Sequence, residues 1–179
     1  MKRYDVHITE SGCWMEGAPL PTQAKGDELI SELYRTYVGD YPKFFKMDGL
    51  SKLAFIASEL VLQREAQQKG EPRFVPNEKR MVILANRSAS WKNDNDYLKT
   101  ITEQDYYPSP ALFVYTLPNI TTGEIAIRNK FFGETCFFIA ENKQQWEDLL
   151  AAMPLSDALV GWVEYKEKGT FDCSMWLQS

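Results

Sequence analysis

The chain has 179 residues, 44% of them hydrophobic, with 20 lysines and arginines against 25 aspartates and glutamates and a net charge of −5. This length and composition exclude a disordered or fibrous protein and predict a single domain over 1–179 with a sizeable core. The acidic balance, without a cluster of lysine and arginine, argues against a nucleic-acid-binding protein or one that binds anionic membrane surfaces.

The first half of the chain is predicted to contain a strand, two helices and a second strand. Weak alternation over 3–14 indicates the first strand, which runs into a turn at Gly12. Apolar residues at helical spacing predict helices over 27–38 and 48–68, and the second is apolar on most sides, which favours burial. The continuous apolar run at 80–85 is typical of a parallel strand that is covered on both faces.

The second half is predicted to alternate short helices with strands. Its helices are expected over 96–101 and 143–153, on either side of an apolar stretch that prolines and a glycine interrupt, 109–126. Its strands are expected over 131–139, 158–163 and 173–177. Because strands and helices alternate along the chain, we predict an α/β fold.

Histidine and cysteine counts exclude several kinds of site. His7 is the single histidine, so this chain alone cannot form a metal or catalytic site with two histidines. Cys13, Cys136 and Cys173 are far apart and form no CxxC pair, so we expect neither a zinc site nor a disulfide framework. No stretch of the chain has the features of a signal peptide or a membrane span, so we expect a cytoplasmic protein without a metal or cofactor.

The common nucleotide and nucleophile motifs are absent. Neither a phosphate-binding glycine loop nor a GxSxG motif occurs. Ser88 and Ser90 follow a buried strand, but a serine nucleophile would need His7 as its base, and a polar loop is the simpler interpretation. Cys136 lies among aromatic strand residues, where a small buried apolar side chain is the simpler interpretation. Residue patterns alone therefore predict no chemistry.

The stretch 109–127, SPALFVYTLPNITTGEIAI, resembles the beta-ketoacyl-acyl carrier protein synthases, in which a similar stretch leads through a GP turn to the nucleophile strand. FKMD at 45–48 and DALVGWVE at 157–164 are similar to two further family motifs, and the three occur in the family's order. The resemblance runs from about 46 to 164. It implies the N-terminal half of a thiolase-like fold, with a mixed sheet and covering helices, because there is room here for only one of the family's two βαβ halves.

The resemblance also implies that the family's catalytic groups are missing. Counted from the turn at Gly133, the position of the nucleophilic cysteine holds Asn142, whose amide cannot carry an acyl thioester. Cys136 comes earlier, inside the strand. The two histidines that assist decarboxylation and stabilise the enolate belong to the family's C-terminal half. The chain alone is therefore expected to be inactive in condensation.

Some members of this family, the chain-length factors, carry an amide in place of the cysteine and pair with an active ketosynthase. The resemblance thus implies a chain-length-factor-like subunit in fatty-acid or polyene-type biosynthesis, paired with a ketosynthase or with itself, with an acyl carrier protein as a further candidate partner. In thiolase-fold dimers the strand before the nucleophile pairs across the two-fold axis. Here that strand consists of Thr135, Cys136, Phe137, Phe138, Ile139 and Ala140. Phe137 and Phe138 should point to opposite faces, with one in the core and the other open to a partner, although both could instead fill this domain's own core.

Two alternative functions remain open at this point. One is a condensing or acyl-transfer enzyme that uses Cys136 or a site completed by a partner chain. The other is an acyl-binding module. Half of a thiolase fold would also leave a large apolar face uncovered, and we expect a partner or the C-terminal segment 165–179 to cover it.

Overall fold

The computed structural model describes residues 1–103 and 107–178. The strands are β1 Lys2–Thr9, β2 Gly12–Met15, β3 Ala18–Pro19, β4 Met81–Asn86, β5 Thr135–Ile139, β6 Ala158–Tyr165 and β7 Phe171–Gln178. The α-helices are α1 Asp27–Tyr37, α2 Gly49–Lys69, α3 Trp91–Leu98, α4 Pro110–Val114, α5 Asn119–Asn129 and α6 Lys143–Ala152. Short 3-10 helices occupy Pro42–Lys46 and Glu167–Gly169.

The strands form one mixed sheet in the order β3-β2-β1-β7-β6-β4-β5. β4 lies between β5 and β6 and is parallel to both, whereas β7, β1, β2 and β3 continue the sheet in antiparallel pairs. β5 is therefore at one edge, and β7 joins the antiparallel strands to the parallel ones. The predicted α/β fold with a mixed sheet and covering helices is confirmed.

The long helix α2 lies across the middle of this sheet. Its N-cap is Asp48, whose side chain accepts a hydrogen bond from the Ser51 N–H at 2.9 Å. Its C-cap is Gly70, in the left-handed region at φ 66°. The helix contacts β1, β6 and β7 and is flanked by α1 and α5, which buries it on nearly all sides. The buried helix expected here from the sequence is confirmed.

The two faces of the sheet are covered differently. On the first face, side chains such as Leu84 and Leu159 share a core with α1, α2 and α5. On the second face, α6 packs over β4, β5 and β6, and three buried indoles continue the cover, those of Trp146, Trp162 and Trp176. The large uncovered apolar face expected from the sequence is not found in the described residues, because these indoles fill the space beside a single helix.

The C-terminal segment 165–179 does not fold back over a face of the sheet. Most of it forms β7, which pairs with β1 on one side and with β6 on the other. Because strand side chains alternate, Met175 belongs to the core of the first face and Trp176 to that of the second. The expectation of a covering segment was wrong for the described part, and Ser179 lies outside the described residues.

Several predicted boundaries also differ from the structure. Gly12 is the first residue of β2 and not the turn, so 3–14 is a hairpin. The helix predicted over 96–101 starts earlier, at Trp91. The strand predicted from 131 onwards starts at Thr135, because the chain first passes close against the residue before β4. None of the helices within 1–103 and 107–178 combines the length and apolar character that crossing a membrane requires.

Candidate functional site

A pocket of about 620 Å³ opens on the second face of the sheet, beside the N-terminus of α6. We call it the α6 pocket. Its walls include side chains from β1, β6 and β7, the loop after β4 and the start of α6, namely His7, Trp162, Glu164, Asp172, Arg87 and Asn142. The parallel strands β4 and β6 both end here, which is where α/β sheets commonly hold ligands. A volume of this size is typical of small-molecule sites.

Asn142, the residue at the expected nucleophile position, is the N-cap of α6 and is exposed at this pocket. Its Oδ1 accepts the N–H of Gln145 at 2.9 Å. Asparagine suits this place because its side chain satisfies one of the N–H groups that a helix start leaves without an acceptor. The residue therefore has a structural role that accounts for an amide here, and its equivalence to a nucleophile stays a prediction.

Asp172 connects three elements around the pocket. Its Oδ1 lies 3.1 Å from Nε2 of His7 on β1, and its Oδ2 lies 2.6 Å from Nζ of Lys143 on α6. All three side chains are about half exposed, so this network adds little stability. Sequence reasoning singled out His7 but missed Asp172, because the two meet only through the pairing of β1 with β7.

Glu164 is the buried carboxylate of the pocket, 6% exposed. It accepts the backbone N–H of Arg87 at 2.9 Å and the hydroxyl of Ser88. The hydroxyl of Ser90 lies 2.6 Å from a carbonyl group after α4. Neither serine is hydrogen bonded to His7, so the nucleophile–base contact of a catalytic triad is not formed.

The predicted interface strand, β5, lies at the edge of the sheet. In the described part of the chain it pairs with β4 and with no other strand, so the opposite side of its backbone is unpaired. Thr135 and Ile139 are exposed, Ile139 by 56%, and Ala140 immediately after the strand is buried. These residues are thus placed where a second chain could pair, and the interface itself stays a prediction.

Phe137 and Phe138 point to opposite faces of β5, as expected, but both are half-buried. Phe137 packs against the core of the first face. Phe138 packs on the second face against Trp146, with ring centroids 5.8 Å apart. Both rings therefore keep part of their surface accessible, and contact of either ring with a partner stays a prediction.

The three thiols lie in different surroundings. Cys13 and Cys173 are buried; burial raises the pKa of Cys13 to about 12 and also raises the pKa of Cys173. Cys136 is half-buried on β5, packs in the second-face cluster and is not among the residues that line the α6 pocket. Within 1–103 and 107–178, no three His, Cys, Asp or Glu side chains are grouped so that they could hold a metal ion.

No protein-family model matches this chain, and no curated protein matches it in sequence. Several solved structures are similar to it, and two of them are described here. One is described as the ishigamide ketosynthase/chain length factor, with a TM-score of 0.56 and 20% identity over 80% of this chain and 46% of that one. The other is described as the ketosynthase ApeO in complex with its chain length factor ApeC from Xenorhabdus doucetiae, with a TM-score of 0.60 and 12% identity over 100% of this chain and 78% of that one.

The chain therefore spans about half the length of the first of these structures. At such low identities the shared feature is the fold. The ketosynthase-like α/β fold implied by the resemblance at 109–127 is confirmed.

Proposed function

We propose that this chain is a non-catalytic, chain-length-factor-like subunit that pairs with an active ketosynthase. Both similar structures are described as a ketosynthase together with a chain length factor. The observation that carries the proposal is the position of β5, an edge strand whose outer side pairs with nothing in the described chain.

The composition of β5 supports pairing with another protein. Exposed strand edges are prone to pair with other strands, and proteins that avoid this place proline, lysine or a bulge there. The strand sequence TCFFI contains neither of these residues, and its register with β4 is regular over its whole length. Exposed apolar side chains flank the edge, with Phe132 at 63% and Ile139 at 56%. Such an edge would bury apolar area in a complex and add backbone hydrogen bonds.

The α6 pocket supports the absence of catalysis. Condensation requires a thiolate to hold the acyl group, and the residue at the start of α6 is Asn142, which acts as the helix cap. His7 is the single histidine and is paired with Asp172. The chemistry would then belong to the partner, which an acyl carrier protein would supply with acyl groups. We place this activity in fatty-acid or polyene-type biosynthesis in the cytoplasm.

The test is the mass, by light scattering, of the purified chain alone and mixed with a ketosynthase from the same source. A complex with the ketosynthase is expected, and Ile139→Lys should abolish it because a lysine at the edge disfavours strand pairing. Val75→Lys changes an equally exposed apolar residue away from β5 and should leave the complex intact.

Three results would contradict the proposal. One is a monomer that binds no ketosynthase. Another is a homodimer that the ketosynthase does not disrupt, since the partner of β5 would then be a second copy. The third is steady condensing activity of the chain alone with malonyl and acyl substrates on the carrier protein.

A further inference from the structure

One side of helix α5 faces away from the rest of the fold. Thr121 faces α2, because its hydroxyl oxygen lies 2.9 Å from that of Ser51. Gly123 and Ile127 are one helical turn apart and lie on the other side of α5, where Ile127 is 69% exposed. Because α2 lies over the middle of the sheet and α5 packs on β4 and β5, this side of α5 faces the free edge of β5.

Gly123 is not required by any contact within the described part of the chain. It lies inside α5, and a Cβ atom added to it would meet no atom there within 4 Å. Glycine in a helix interior is less favourable than alanine. A glycine that no neighbour in the fold requires leaves room for the backbone of another protein to approach α5 closely.

The outer side of α4 continues this surface with apolar side chains. Tyr115 is buried on the inner side, whereas Phe113, Val114 and Leu117 are 52%, 44% and 49% exposed. No residue within 107–123 carries a charge, so the surface suits an apolar partner rather than a charged one. The α4–α5 face, as we call it, consists of Phe113, Val114, Leu117, Gly123 and Ile127.

The α4–α5 face is continuous with the free edge of β5. Ile139 at the end of β5 is opposite Asn86 at the end of β4. The loop that follows β4 is joined to the chain after α4, because the Ser90 hydroxyl donates to the carbonyl oxygen of Thr116 at 2.6 Å. Ile139 also points to the same face of the sheet as Phe137, which is the face that α5 covers. The exposed side chain of Ile139 is therefore next to the α4–α5 face.

The exposed areas favour a single partner for both surfaces. The apolar side chains of the α4–α5 face expose on the order of 400 Å², a size that often marks a functional site on a monomer. The edge of β5, with Phe132 and Ile139, adds roughly half as much side-chain area. A standard interface takes about 800 Å² from each partner, which the edge and the face approach only together.

We propose that the ketosynthase that pairs with β5 also packs an uncharged apolar surface against the α4–α5 face, with its closest approach at Gly123. This inference rests on the proposed function, because it names the further surface that the same partner covers. Strand pairing sets the register along β5, and the α4–α5 face supplies most of the buried apolar area.

Titration of the chain with a ketosynthase from the same source tests this contact. Gly123→Leu should weaken the complex at least about tenfold, because a side chain then fills the space that the partner approaches. The variant itself should fold, since leucine favours a helix and its Cβ has room in the described chain; urea denaturation checks this. Leu117→Gln and Val114→Gln remove apolar contact area and should each weaken the complex about three- to tenfold.

Two matched controls make the same changes elsewhere. Leu149→Gln lies on α6, on the opposite face of the sheet, and Val75→Gln lies in the loop before β4. The two side chains are 37% and 53% exposed, and neither substitution should change the affinity for the ketosynthase. Equal losses in the controls and in the α4–α5 face variants would overturn the assignment.

The outcomes separate this inference from the proposed function. A complex that Ile139→Lys abolishes, but that Gly123→Leu and Leu117→Gln leave as tight as wild type, would overturn the inference and leave the proposed function standing. Failure of the wild-type chain to bind the ketosynthase would contradict both. A homodimer of the chain that Gly123→Leu disrupts and the ketosynthase does not would make a second copy the occupant of the face, and this too would overturn the assignment.

Discussion

The carbonyl oxygen of Arg80 lies 2.4 Å from the position that a Cβ atom on Gly133 would occupy. The contact lies just before β4 and just before β5, so it sets how closely the edge strand approaches its neighbour. Glycine is required here by the close approach of two backbones. The same glycine lies at the position that the family resemblance identified as the turn before β5.

Gly133→Ala should therefore lower the free energy of unfolding by about 2 kcal/mol or more, because a backbone carbonyl group must move to make room. Urea denaturation measures the loss. Gly123→Ala is the matched control: it lies inside α5 with no atom within 4 Å of its added Cβ, and it should raise stability by roughly 0.5–1 kcal/mol. Equal effects of the two substitutions would show that the approach of β5 is not tight.

The buried pair of Glu65 and Arg80 makes stability depend on acid pH. Both guanidinium Nη atoms of Arg80 donate to Glu65, one of them at 2.9 Å, and Nε donates to Asp157 at 2.8 Å. Burial alone would raise the pKa of Glu65, but hydrogen bonds and charge from Arg80 and Lys69 outweigh it, so the pKa lies below its ordinary value. A lowered folded-state pKa means that the stabilisation is complete above the unfolded pKa of about 4.3 and is lost as the pH falls through the folded value.

Glu65→Gln should accordingly lower the free energy of unfolding by about 2 kcal/mol at pH 7. The loss is smaller than for a buried arginine left without any ion pair, because Arg80 still pairs with Asp157. The difference from wild type should shrink as unfolding is measured at pH values below 4. Glu78→Gln, on an exposed loop residue, should change stability little at either pH. A Glu65→Gln penalty that is independent of pH would contradict the ion-pair explanation.

Asp48 should show the opposite dependence. Burial raises the pKa of this N-cap carboxyl, and the hydrogen bonds from Ser51 and the charge of Lys52 offset it only in part. A raised folded-state pKa means that the charge costs stability as the pH rises through that value. Asp48→Asn keeps the cap without the charge, so it should raise the free energy of unfolding at pH 7, and the gain should fade at acid pH. A net loss at pH 7 would show that the charge itself stabilises α2.

Thiol labelling separates the enzyme alternative from the non-catalytic one. Cys13 and Cys173 have raised pKa values and are buried, so in the native protein an alkylating reagent should reach Cys136 first. Cys136→Ser should remove the fast-reacting thiol. A cerulenin-like or acyl probe should form no stoichiometric adduct at Cys136. A stoichiometric acyl adduct there would favour the enzyme alternative.

Asn142→Cys tests whether the start of α6 is a suitable place for a nucleophile. A thiol at a helix N-terminus has a lowered pKa, so it should alkylate faster than Cys136. Loss of the asparagine cap should cost about 1 kcal/mol, and Asn142→Ser, which keeps a capping oxygen, should cost less. Under the proposed function no condensing activity is expected, because His7 is the single histidine of the sequence and is paired with Asp172. Condensation by this variant would contradict the proposal that the chemistry belongs to a partner.

Local sequence patterns predicted the helices and strands whose formation depends mainly on neighbouring residues in the sequence. The helix α2 could be predicted because its capping residues, Asp48 and Gly70, lie at the two ends of a long apolar run in the sequence. β4 is continuously apolar because helices cover both of its faces. The start of α3 was predicted too far along the sequence, because few apolar residues mark this helix. It is stabilised instead by residues distant in sequence, as in the hydrogen bond that the Asn93 side chain donates to the carbonyl oxygen of Leu112 at 2.7 Å.

The candidate site was harder to predict than the fold. Asn142 was identified through the resemblance, but its pocket depends on which strands become neighbours. Asp172 meets His7 because β7 inserts beside β1, and no spacing in the sequence indicates this. Trp162 was expected to be part of a buried strand, and its place in the wall of the α6 pocket depends on the folded surroundings. Pairing between distant strands therefore decides the site's chemistry, which explains why local patterns could not predict it.

The place of β7 in the sheet also has a consequence for biosynthesis on the ribosome. Within the part of the chain that the structure describes, β7, at residues 171–178, alone links β1 to β6 in the sheet. The N-terminal hairpin and β4 are made long before β7, and the hairpin cannot join the parallel strands in this sheet until β7 has left the exit tunnel. Contacts this distant in sequence form slowly, and unpaired strands aggregate while they wait. A nascent chain of this protein should therefore need protection by a chaperone until β7 emerges.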